Sequence, residues 1–160
     1  MRRLLLMTII AGLAAMGACR KKKGPADVDT AKPDSSLLSQ LNMSALVNTV
    51  EWKTDSAYSY KVVNSGGDTS IFNLMVIATQ EKDNQRSTIN ISITDFKGKG
   101  TYKIDPPINT ATYYSGNIRH YASTGNFVVV TDTGSLYKGT FNFVADTVSV
   151  IDGKFSIAKP

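Results

Sequence analysis

The chain brings one imidazole, one thiol and a scatter of carboxylates to any chemistry it could do. His120 stands in Ile118-Arg119-His120-Tyr121, and no Gly-x-Ser-x-Gly elbow or other nucleophile setting accompanies it, so a Ser-His-Asp arrangement is not indicated. A single histidine also lacks the second imidazole that metal-ligand spacing requires, and neither a metal nor a cofactor is expected. Glycosidases work with two carboxylates at a set separation, and the carboxylates from Glu51 to Asp152 supply the raw material. Several of these flank glycine or fall in turn-like clusters, where aspartate hydrogen-bonds its own backbone instead. Asp27-Val28-Asp29 lacks the further oxygen ligands of a calcium loop. Tyr113, Tyr114, Tyr121 and Tyr137 offer a different capability, because an apolar ring with a polar tip can stack on a sugar or a peptide and still hydrogen-bond. They are the candidate ligand contacts, with cross-strand packing as the alternative use of the same rings.

The thiol has a more specific setting. Arg2 and Arg3 precede an uncharged, mostly apolar stretch from Leu4 to Ala15, too short for a permanent membrane span and of the form of a cleaved signal. The stretch ends in Met16-Gly17-Ala18-Cys19, which resembles the lipobox of bacterial lipoproteins, with Met16 where leucine is more usual. The resemblance implies removal of residues 1 to 18 and lipidation, palmitate included, at Cys19. Each buried methylene contributes about 0.8 kcal/mol, so several acyl chains make a stable anchor where one would hold marginally. Cys19 is the only cysteine, which excludes an internal disulfide, a cysteine nucleophile in the domain and a cysteine-ligated zinc or iron-sulfur centre.

The formal charge of +5 invites a nucleic-acid reading that the positions of the charges undo. Without Arg2, Arg3 and the four cations at 20 to 23, twelve Lys and Arg remain against thirteen Asp and Glu, a net of −1. No nucleic-acid partner is expected. The basic cluster beside the anchor suits anionic headgroups, at about 1 kcal/mol per cation, or serves as a solvated spacer.

Residues 20 to 36 are polar, carry Gly24, Pro25 and Pro33 and contain no aromatic side chain, so they cannot offset chain entropy by burial. A lipid-anchored tether over 19 to 43 is the expectation, with a helical turn near Leu37, Leu38 and Leu41. All fourteen aromatic residues fall between Trp52 and Phe155, which marks one domain at 44 to 160.

That domain is a run of short Val, Ile, Thr, Tyr and Phe segments punctuated by Gly, Asn, Asp and Pro, the pattern of an antiparallel all-β fold. A β-sandwich is expected first and a small β-barrel second. The segments are 45 to 52, 58 to 63, 70 to 79, 88 to 96, 100 to 104, 111 to 114, 118 to 122, 126 to 131, 138 to 145, 148 to 151 and 154 to 158. Ile89, Ile91 and Ile93 alternate with polar residues and point to the core, whereas Ile71 to Ile77 is apolar at nearly every position and reads as a central strand. Asn64 to Asp68 suits a hairpin connection, and Asp105-Pro106-Pro107 must interrupt pairing. Asp152-Gly153 predicts a type I′ hairpin in which Val150 faces Phe155 and Val148 faces Ile157.

Val47-Asn48-Thr49-Val50-Glu51-Trp52, Gly100-Thr101-Tyr102, Gly139-Thr140-Phe141-Asn142-Phe143 and Asp152-Gly153-Lys154-Phe155 together resemble a family of uncharacterised Bacteroidota-type lipoproteins, small β-domains behind a lipobox. The likeness spans residues 45 to 160, with Thr49 where that family places glycine. It implies fold and compartment and carries no activity. Gly100 and Gly139 read structurally as turn ends that open strands. Asp29-Thr30-Ala31, Asp55-Ser56-Ala57 and Asp146-Thr147-Val148 resemble the three-residue O-glycosylation motif of exported proteins in that lineage.

The expected function is therefore a membrane-anchored cell-envelope lipoprotein carrying a non-enzymatic binding or structural module for a glycan, peptide or envelope protein. A small carboxylate-dependent hydrolase acting on glycans is the alternative. The basic residues after Cys19 favour the periplasmic face of the outer membrane over the cell surface.

Overall fold

The computed structural model describes residues 41–63 and 72–160. Residues 1–40, with the expected signal segment, Cys19, Leu37 and Leu38 of the expected helical turn and most of the expected tether, and the Asn64 to Asp68 connection lie outside the described residues, while Asn42 and Met43, expected in the tether, open the first strand. The strands are β1 (Asn42–Val47), β2 (Val50–Lys53), β3 (Ser56–Val63), β4 (Phe72–Lys82), β5 (Gln85–Ile93), β6 (Gly100–Ile104), β7 (Thr110–Ser115), β8 (Ile118–Asp132), β9 (Leu136–Ala145) and β10 (Val148–Ala158). The fold is all-β and antiparallel. The strands follow the order β2-β1-β10-β9-β8-β7-β5-β4-β3, with β6 added beside β8, and the sheet curls into a half-barrel.

Strand β8 makes the curl possible. Its first residues pair with β7, its middle pairs with β6, and its other edge pairs with β9 from Ala122 to Asp132. Bulges at Ala122/Thr124 and Val129/Thr131 bend it, since an extra residue on one strand increases the local twist. The expected separate strands at 118 to 122 and 126 to 131 are thus one bent strand. Thr54 and Asp55 alone carry the chain from β2 to β3, the two ends of the strand order. The Thr54 amide donates to the Met43 carbonyl at 2.9 Å and the Asp55 amide to the Thr79 carbonyl at 2.8 Å. The Trp52 indole N–H, fully inside, donates to the Ser87 hydroxyl at 2.8 Å and ties β2 to β5.

The core lines the concave side. Leu74 and Val76 are fully buried, as are Ile89, Ile91 and Ile93, the last three as the alternation predicts. Phe127 stacks on Phe155 at 4.4 Å, and Phe96 packs between Tyr102 and Tyr137 at 5.1 and 5.0 Å. Three glycines inside β8, β9 and β10 each face a phenylalanine across the ladder: Gly125 with Phe143, Gly139 with Phe155, and Gly153 with Phe141. A Cβ on Gly139 would overlap the Val128 carbonyl oxygen and press on the Phe155 ring. Gly139 is therefore a mid-strand close-packing position, not the turn end its motif suggests.

Three further expectations are corrected. Residues 45 to 52 form a hairpin, with Asn48 and Thr49 both at positive φ (49° and 71°) as a type I′ turn demands. The Asp152-Gly153 pair makes no hairpin. Strand β10 runs through it, and Ile151 and Asp152 bulge opposite Asn142, with Asp152 at φ 52°. A one-residue bulge inverts side-chain parity just as a two-residue turn does, so Val148, Val150, Phe155 and Ile157 are all buried, though Val150 pairs with Phe143 and Phe155 with Gly139. Strand β4 lies second from the sheet edge, and its outer residues Met75 and Ile77 stay half-exposed, less covered than a central strand.

Candidate functional site

The tyrosines separate by parity. Tyr113 and Tyr114 are adjacent on β7, so their rings lie on opposite faces of the sheet. Gly116, at φ 58°, starts a two-residue turn that pairs Tyr114 with Arg119, Tyr113 with His120 and Thr112 with Tyr121. Tyr114 and Tyr121 accordingly share the convex face with Arg119. The guanidinium carbon sits 4.2 Å from the Tyr121 ring centroid and 5.4 Å from that of Tyr114, a cation held by two π faces.

The same face extends across five strands. Register places Tyr58, Ile77, Asn90, Thr112 and Tyr121 in one row, each directly opposite the next. A second row runs Ser56, Thr79, Thr88, Tyr114, Arg119. Tyr58 and Tyr121 are 50% and 57% exposed at the two ends, and between them lie the half-buried Ile77 and Asn90 and the buried Thr112. Adjacent strands lie about 4.8 Å apart, which separates the two end rings by roughly 19 Å. The Asn90 side-chain oxygen on this face is shielded and has no hydrogen-bond partner among the described residues.

Tyr113 turns inward. Its ring lies 6.2 Å from that of His120, whose Nδ1 is 3.7 Å from the Asp146 carboxylate on the β9–β10 turn. Trp52, Tyr113, His120, Gln80, Lys82 and Glu51 line a cavity of about 420 Å³ at this end of the half-barrel. Tyr137 is 6% exposed and belongs to the core; burial pushes its phenol, like that of Tyr102, above the ordinary tyrosine range. Lys159 lies 5.0 Å from the Tyr137 ring centroid and pairs with Asp132, whose hydrogen bond raises the ammonium above the ordinary lysine range.

Two carboxylates also come together. Glu51 and Asp152 line an open groove of about 650 Å³ on the convex side at the β10 bulge, with Ser44, Thr140, Asn142 and Lys154. Both acids are exposed. Ser56, at the start of β3, and Thr147, in the β9–β10 turn, present exposed hydroxyls within their Asp-Ser/Thr motifs.

Sequence reasoning missed Tyr58, Arg119 and Asn90 on the convex face and Trp52 in the cavity. Gly116-Asn117 was the available signal for Arg119, since a two-residue turn there fixes its place opposite Tyr114. Nothing local links Tyr58 to Tyr121, which meet in one row only through three intervening strands. Comparison with protein-family models, with curated proteins and with solved structures gave no match for this chain.

Proposed function

We propose that this chain is a lipid-anchored cell-envelope protein whose β domain is a non-enzymatic binding module, with the convex Tyr58–Tyr121 face as its ligand surface. The observation that carries the reading is the row from Tyr58 to Tyr121, with Ile77, Asn90 and Thr112 between two exposed aromatic ends. A face of this composition suits a glycan chain, since rings stack on the apolar side of a sugar while the tyrosine hydroxyls and Ser56, Thr79 and Thr88 serve its hydroxyls. Interfaces for protein partners are richer in apolar residues at their centre. The lipobox-like segment supports a lipid anchor in the envelope, the basic residues after Cys19 favour the periplasmic face of the outer membrane over the cell surface, and the family likeness in sequence supports the same compartment.

Affinity electrophoresis through immobilised envelope polysaccharides tests the binding reading. Retardation that is lost in both Tyr58→Ala and Tyr121→Ala is expected. Retardation unchanged in both, or abolished only by Tyr113→Ala in the mouth cavity, would move the site elsewhere. For the anchor, Cys19→Ser should remove labelling by a fatty-acid analogue; equal labelling of the variant would contradict it.

A second reading, a carboxylate-dependent glycan hydrolase, is favoured by Glu51 and Asp152 sharing one groove. It requires reducing-end release from a glycan that Glu51→Gln and Asp152→Asn each abolish.

A further inference from the structure

We propose that the convex face selects an acidic glycan, one that bears uronate carboxylates, and that Arg119 is the residue that reads them. This rests on the binding reading above and adds the chemical class of the ligand. Arg119 is the sole charged side chain in the two central rows, the other members being Tyr, Ile, Asn, Thr and Ser. The next outer-face position pairs Glu81 with Arg86 across β4 and β5, so that acid already faces a cation. None of the four ion pairs among the described residues includes Arg119.

A cation left without an acid is ordinarily a mobile, solvated side chain on a long stem. Arg119 is held instead, between the ring of Tyr121 at 4.2 Å and that of Tyr114 at 5.4 Å. Stacking occupies the flat side of a guanidinium and leaves its N–H edge available. That edge presents paired donors in a fixed fork, which matches the two oxygens of a planar carboxylate. Two rings that pre-set the fork also lower the entropy lost on binding, the advantage of a pre-organised site. Tyr121 neighbours Arg119 on the same strand and terminates the row, so a sugar stacked there carries its carboxylate within the reach of the fork.

The test uses the full chain in detergent micelles, titrated with polygalacturonate, with the same polymer after methyl esterification, with a neutral β-glucan and with a sulfated glycan. Polygalacturonate should bind at least tenfold tighter than its ester and the neutral glucan. Arg119→Gln should weaken it by roughly tenfold to a hundredfold, the range of a hydrogen-bonded charge pair, and bring it to the level of the ester. Arg119→Lys, which keeps the charge and loses the fork, should fall between the two. Tyr121→Ala should weaken every glycan that binds. Equal binding of the ester, with Arg119→Gln unaffected, overturns the acidic inference and leaves the glycan face standing. Tighter binding of the sulfated glycan overturns the carboxylate assignment, and no binding of any of the four overturns both readings.

Discussion

Thr49 holds a backbone conformation that a β-branched side chain resists, with φ at 71° in the β1–β2 turn. A left-handed conformation costs a non-glycine residue roughly 1 to 2 kcal/mol, so Thr49→Gly should raise the unfolding free energy by about 1 kcal/mol. A denaturant midpoint that stays in place or falls would show that the turn is unstrained. Gly139 is the converse. Its Cβ has no room between the Val128 carbonyl and the Phe155 ring, and Gly139→Ala should destabilise by about 3 kcal/mol, the upper part of the usual overpacking range. A loss within 0.5 kcal/mol, roughly the scale of an ordinary surface substitution, would refute the close approach. At this scale the sequence was legible where the backbone's needs are local. The alternation of Ile89, Ile91 and Ile93 named core residues correctly. The tyrosines could not be sorted by type alone, because Tyr113 and Tyr114 differ by one position and lie on opposite faces.

Strands were legible as segments and not as continuities. Gly and Asp mark both turns and bulges, and Asp152-Gly153 has the chemistry of either; what decides is whether the following residues fold back or run on, which depends on the neighbours β9 and β1. The same ambiguity divided β8 in two, since Ser123-Thr124-Gly125 at its first bulge looks locally like a strand end. The bulge itself is open to test. Deleting Asp152 would remove the extra residue and leave an unbulged strand in which Val150 still faces Phe143 and Phe155 still faces Gly139, so the deletion variant should keep its near-ultraviolet circular dichroism and its cooperative unfolding. A deletion variant that unfolds without cooperativity would contradict the assignment of Asp152 as the extra residue of the bulge. Conversely, Phe155→Ala keeps the register and creates a cavity beside Phe127, for an expected loss of about 3 to 5 kcal/mol.

Tyr102, Tyr137 and Lys159, from β6, β9 and the residues after β10, gather around Asp132 at one corner of the domain. All three titrate above their ordinary ranges, the tyrosines chiefly through burial and the lysine chiefly through its hydrogen bond to Asp132. Groups whose folded pKa is raised stabilise fully below their unfolded pKa, and that stability is lost as pH rises through the folded value. The domain should thus begin to lose stability from about pH 10 upward, and Tyr137→Phe should flatten that loss; an alkaline limb identical in the variant would exclude this corner as its source. The all-β class was legible from the spacing of strands and turns, whereas the convex face was not, because its rows exist only once five strands are in register. Amide chemical-shift mapping by NMR during titration with a uronate oligosaccharide tests that face most directly. The expected result is shifts confined to β3, β4, β5, β7 and the start of β8, largest around Arg119 and Tyr121. Shifts clustered instead around Glu51 and Asp152, or around Trp52 and His120, would contradict it.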